Sequence, residues 1–251
     1  MALDYVVPSV RYDTEKPYLL SLDVPVEDEP DRSNLEFAEV YVDAADARPI
    51  NNSLSVEVNG FELVDVGPGF VAKYFNGQDK ATELAGIHAL MKEKFQAEKV
   101  IIYDHASEAS GEKRVNKLLN LEERSRYPRE KWRMRIINFW MPIRHKINSA
   151  PLLLCDPLSA KFDDILACDA VSAHYVGEFL LLKHSSSHRW FWFKDQDVHE
   201  ALLFVSHDSL GLRNGAGCFH SSCRIINNDD AASAKGSGVC IIRCAGESLL
   251  A

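Results

Sequence analysis

Basic charge is scarce in this chain: 28 Lys and Arg stand against 37 Asp and Glu, a formal −9 at pH 7 with the histidines neutral. Neutralising phosphates needs a basic stripe, so nucleic acid is excluded as a partner. Long apolar runs are missing too. No window approaches the length of a membrane span, and the opening MALDYVVPSVRYDTEKPYLL has no basic stretch leading into an apolar one. A soluble, intracellular, cytoplasmic protein with no membrane partner is the expectation. Cysteine is sparse, six in 251 residues, which argues against a disulfide framework. Cys218, Cys223, Cys240 and Cys244 are spaced loosely like zinc ligands, yet they sit in apolar, strand-like runs rather than tight Gly-containing knuckles. They are assigned to the core as free thiols. No stretch is rich enough in Pro, Gly and Ser to be a linker, and the most polar run, PVEDEPDRSN at 25–34, lies too near the start to separate one core from another. The Gly-x-Ser-x-Gly elbow is absent, and NGAGCFH lacks the strand–turn–helix setting of a phosphate loop.

What is present is periodic. LSVEVNGFELVDV alternates Leu54, Val56 and Val58 with polar residues, and Asn59-Gly60 predicts a β-hairpin there. DKATELAGIHALMKEKFQA places Leu84, Ile87, Met91 and Phe95 at helical spacing behind Asp79 as N-cap. Strands are predicted at RIINFWMPI, PLLLCD, GEFLLLKH, HRWFWFK, EALLFVSHD and GVCIIRCA, with a short helix at SAKFDDILACDA capped by Ser159. Many strands preceded by helices predict a mainly β protein, a barrel or sandwich with helices on one face.

In order along the chain, KPY, NGFELVD, VIIYDH, SGEKRVNKLL, RIINFWMPI, PLLLCDPLS, GEFLLLKHSSSHRWFWF, EALLFVSHDS and CFHSSC resemble a fungal group related to the gibberellin desaturase and the cephalosporin methoxylase. That resemblance covers most of the chain. It implies a double-stranded β-helix, or jelly roll, of the 2-oxoglutarate dioxygenase type. The expected layout is a single domain, 1–251, with an N-terminal hairpin and helices over 1–130 and a barrel core over 131–245. The family's chemistry uses non-haem iron held by His-x-Asp and a distal His.

One segment departs from that pattern. Where the family carries His-x-Asp after a strand like VIIYDH, this chain joins Asp104-His105 to SGEKRVNKLL through Ala106, Ser107, Glu108 and Ala109 alone. Adjacent strand residues point to opposite faces, so Asp104 and His105 cannot share one metal without a bulge. Met141 stands where the family has the arginine of Trp-Arg-Pro; His220 matches the distal ligand and Arg243 the late arginine that would pair with 2-oxoglutarate. The expectation is therefore no metal and no cofactor.

His188, Trp190 and Trp192 share one face of their strand. With Trp140, Phe139 and Met141 they are expected to bind an apolar, terpenoid ligand. Arg135 and Asn138 are polar within an apolar strand; Arg135 calls for Glu178, Glu200 or Asp208 as a structural partner, or else contacts ligand. Among the family's members, the chain is similar to the hetero-Diels–Alderases of tropolonic sesquiterpenoid pathways. That implies a cofactor-independent addition of a tropolone or phenol o-quinone methide to a humulene-type terpene. His220 or His188 would give the proton, and Arg135, Asn138 and Arg243 would hydrogen-bond the oxygen. The implied partners are small natural-product intermediates, an apolar terpene and a polar aromatic; a homodimer stays open. An iron and 2-oxoglutarate-dependent hydroxylase or desaturase with an atypical metal site, and a non-catalytic binding protein, are the alternatives.

Overall fold

A computed structural model describes residues 1–21, 32–75, 77, 79–103, 118–128, 131–142, 145–147, 149–173, 175–211, 217–223 and 236–245, with backbone alone at 21, 103, 175 and 236–245. Asp104, His105 and the Ala106–Ala109 join lie outside the described residues.

Two sheets face each other. The larger runs β5-β12-β7-β14-β6, antiparallel throughout: β5 is Phe61–Asp65, β6 Lys99–Tyr103, β7 Arg133–Pro142, β12 Glu200–Asp208 and β14 Gly236–Ala245. The smaller runs β13-β8-β11-β4, with β4 Ala44–Asp46, β8 Leu152–Cys155, β11 Trp190–Trp192 and β13 His220–Ser222. Side chains alternate across each strand, so each sheet has an inner and an outer face. The inner faces meet in a cluster of Phe61, Leu63, Leu152, Leu154, Leu202 and Phe204, with Phe193 and Cys218. This is the interior of the jelly roll.

The outer face of the five-stranded sheet carries Ile137, Phe139, Met141, Ala201, Leu203 and Val205 against helix α3, Lys80–Lys94, which follows helix α2, Gly67–Tyr74. Its cap is as the sequence predicts, Asp79 accepting from the Thr82 amide at 2.7 Å, and Ile87, Met91 and Phe95 are buried. The outer face of the four-stranded sheet packs Leu153, Cys155 and Trp190 against β1, Ala2–Val6, through Leu3 and Tyr5. Around this layer lie the pair β1-β3, with β3 Phe37–Tyr41, and a three-stranded sheet β10-β9-β2 made of Tyr175–Leu182, Ile165–Ser172 and Tyr18–Ser21. Among the described residues no helix is long and apolar enough to cross a membrane.

All six predicted strands form, but two local predictions are corrected. The expected hairpin at 54–65 is instead a single helical turn, α1, Val56–Asn59, capped by the Ser55 hydroxyl and followed by β5. Gly60, at φ +76°, supplies the left-handed residue that ends the turn, so Asn-Gly marks a helix C-terminus here. The expected helix at 159–170 shrinks to a 3-10 turn, Phe162–Asp164, capped at Lys161, and the rest is strand β9. Ser159 caps nothing; its hydroxyl donates to the Asp156 carbonyl and accepts from the Arg189 amide.

Candidate functional site in the jelly-roll interior

Pairing register decides which sequence-predicted residues can meet. On β7 the inner positions are Asn138 and Trp140, opposite Phe204 and Leu202 of β12. The ladder slips between Val205 and His207, a bulge that leaves Ser206 without a register partner. The Asn138 amide nitrogen donates to the Ser206 hydroxyl at 2.6 Å. From the facing sheet comes His220, opposite Leu154 of β8, with its ring centroid 4.5 Å from that of Phe204. Phe61 and Phe191 add a further ring contact at 5.7 Å. Half-buried Asn138 and Ser206 thus lie on the Phe204 side of the sheet, with exposed His220 against the Phe204 ring.

The tautomer of His220 follows from its partner. Nδ1 lies 3.2 Å from the Cys218 carbonyl oxygen, which can only accept, so Nδ1 carries the hydrogen and Nε2 of the neutral ring is the basic atom. Gly217 makes this approach possible. Its φ is +135°, and a Cβ there would sit 2.6 Å from the Ser206 carbonyl oxygen, while the neighbouring Cys218 amide donates to Val205 across the bulge at 2.7 Å.

Other predicted residues lie elsewhere. Arg135, Phe139 and Met141 share the face toward α3: Phe139 and Met141 are core there, and Arg135 lies over the Phe95 ring. They line no interior surface with Trp140, because one residue along a strand reverses the face. Arg135 takes Glu57 as partner, not the three carboxylates expected of it. Glu178 pairs with Lys16, Glu200 with Arg48 and Asp208 with Arg133.

His188, Trp190 and Trp192 belong to the outer face of the four-stranded sheet, where the Trp190 indole donates to the Tyr5 hydroxyl at 2.8 Å. The His188 side chain, 1% exposed, is held there by Asp164 and Tyr5. The backbone of Arg243 pairs with that of Arg135, and its side chain lies outside the described residues. Sequence reading passed over Ser206 and Phe204 as site residues. The available signal was Ser206 itself, the polar break in the alternation Leu202, Phe204, Ser206.

Among the described residues no iron facial triad is assembled. Around His220 stand Phe204, Leu154 and Cys218, and among the described residues no three His, Cys, Asp or Glu side chains come together. No His-x-Asp or His-x-Glu occurs anywhere in the 251 residues. Burial lifts Cys155 to about 12 and Cys168 and Cys223 to about 11, and raises Cys218 well above the ordinary thiol value, so all four stay protonated.

Comparison with known proteins bears on this geometry. A family model described as an oxidoreductase/YMDC permease-like domain matches residues 3–108 and 106–237. Solved structures of an iron and alpha-ketoglutarate-dependent endoperoxidase, NvfI, superpose with a TM-score of 0.79 at 18% identity, covering 98% of this chain and 97% of the other. A tryptophan-to-phenylalanine variant of NvfI gives 0.81, with 98% and 96% covered. At that identity the likeness is one of fold. No curated protein sequence matches.

Proposed function

The chain belongs to the oxidoreductase/YMDC permease-like domain family, and from that premise we propose that it is a metal-independent pericyclase built on an oxygenase scaffold. Its reaction is a hetero-Diels–Alder addition of a tropolone or phenol o-quinone methide to a humulene-type sesquiterpene. The observation that carries this reading is a polar group set against aromatic rings: Asn138 donates to Ser206, and His220, with Nδ1 on the Cys218 carbonyl, packs on Phe204.

His220 Nε2 takes the ring-hydroxyl proton of a hydroxymethyl precursor. The benzylic C–O bond then breaks, and the imidazolium returns that proton to the departing hydroxyl as water. The products balance as o-quinone methide plus water. Ser206, whose oxygen accepts from Asn138, keeps its own hydrogen to donate to the quinone-methide oxygen as charge grows there. Trp140, Phe204 and Phe191 hold the terpene alkene against the diene. Holding two reactants in a near-attack arrangement contributes about 7–11 kcal/mol, enough to accelerate a cycloaddition that needs no cofactor.

The test is incubation of the full chain with a hydroxymethyl tropolone and humulene. A single-enantiomer dihydropyran is expected, formed at least ~100-fold faster than in buffer, and the advantage falls by on the order of 10²-fold in His220→Gln. Racemic product at the buffer rate overturns the reading. The shared fold favours one competitor, an oxygenase with an atypical ligand set. Iron retained at one per chain, with a visible charge-transfer band when 2-oxoglutarate is added without oxygen, would establish that competitor instead.

A further inference from the structure

Outside the interior, on the α3 side of the five-stranded sheet, two arginines share one exposed carboxylate; we propose that this cluster is a binding site for a small carboxylate ligand, occupied in this structure by the chain's own Glu57. Arg133 and Arg135 occupy alternate positions of β7. Arg133 Nε contacts both oxygens of Asp208 at 3.0 and 3.1 Å, and its Nη1 reaches Glu57 Oε2 at 2.8 Å. Asp208, 1% exposed, is taken up by that fork and by the turn amide of Leu210. Arg135 is left with Glu57 Oε1, 2.5 Å from its Nη1.

The arrangement under-satisfies Arg135. Its side chain is 2% exposed, and Nε has no hydrogen-bond partner. The face of Phe95, 5.2 Å from the guanidinium carbon, covers one side. A buried guanidinium with donors unmet is costly, and burial outweighs the help of Glu57 in setting its proton affinity below the arginine norm. The site lacks an acceptor for Arg135 Nε, Glu57 reaching only Nη1.

Glu57 is the removable member. It is 49% exposed and sits on the four-residue turn α1, whereas Asp208 is locked in a strand. Its two oxygens already show the geometry a guest would adopt, one oxygen on each guanidinium, each bond charge-assisted. A guest carboxylate entering from the solvent side replaces Glu57 and leaves Asp208 in place.

The experiment compares thermal melting of the full chain in sodium acetate and in sodium chloride at equal ionic strength. In Glu57→Gln, acetate is expected to raise the midpoint by at least about 3 °C over chloride. Its apparent acetate affinity should be at least ~10-fold tighter than that of the wild type, in which Glu57 competes. Adding Arg135→Met, an apolar replacement of similar length, should abolish the response while circular dichroism stays native. If Glu57→Gln is unfolded in chloride, recovery in acetate supports the site and failure to recover refutes it. An equal response to the two salts in a folded Glu57→Gln, or an acetate shift that survives Arg135→Met, overturns the proposal.

Discussion

At His188 a buried imidazole is held between two partners: Nε2 lies 3.2 Å from Asp164 Oδ2 and Nδ1 3.5 Å from the Tyr5 hydroxyl, with the side chain 1% exposed. Tyr5 accepts from Trp190, so its own hydrogen points to Nδ1, and the hydrogen of the neutral ring lies on Nε2 toward the carboxylate. His220 has the opposite tautomer, its hydrogen on Nδ1 toward the Cys218 carbonyl. Burial lowers the His188 pKa from its ordinary 6.5, against the pull of Asp164. The unfolded chain therefore binds this proton first as pH falls, and stability declines from about pH 6.5 down to the folded pKa. Urea titrations at pH 7.5 and 5.5 should show this loss, and His188→Gln should remove some of it. An unchanged pH slope in the variant would refute the assignment. Nothing in HRWFWF distinguishes this role from ligand contact, because the partners, Tyr5 and Asp164, are distant in sequence.

At the scale of elements, β7 and β12 show how much a strand's pattern tells and where it stops. The apolar runs of RIINFWMPI and EALLFVSHD predict two strands, and both form. Each is covered on both faces, so the period-2 rule sorts residues into two sets without naming the inner one. Asn138 with Trp140 face the interior, and Phe139 with Met141 face α3, because α3 buries its apolar side on that face of the sheet. The turn α1 is a second case: the alternating Leu54, Val56, Val58 and the Asn-Gly pair match a hairpin, but Ser55 caps a helical turn that sets Val56 into the α3-side core. The bulge in β12 gives this scale its prediction. Gly217→Ala places a methyl group against the Ser206 carbonyl at a φ of +135°, and should cost about 1–3 kcal/mol. The loss is measurable as a lower urea midpoint, together with reduced activity if the bulge aims Ser206 and His220. A variant as stable as the wild type would show that this close approach is not required.

In the two facing sheets, strands from before residue 131 stand at the edges of those from after it. β5 and β6 form the two flanks of the five-stranded sheet, β4 ends the four-stranded one, and β1 covers its outer face. We expect one cooperative unit rather than a separable barrel. A chain comprising residues 131–251 should therefore show neither a native circular dichroism spectrum nor a sigmoidal melt, and a folded 131–251 fragment would refute this. The sequence by itself determined the strands of the later half, helix α3 with its Asp79 cap, the core placement of Cys218 and Cys223, and the absence of His-x-Asp. These depend on local spacing, capping chemistry and residue identity. Only the tertiary structure decided which face of each strand points inward, that Glu57 pairs with Arg135, and that His220 turns Nδ1 to the Cys218 carbonyl. Each of these depends on what packs against a residue from far along the chain, and a period of two fixes the sides of a strand without saying which side will be enclosed.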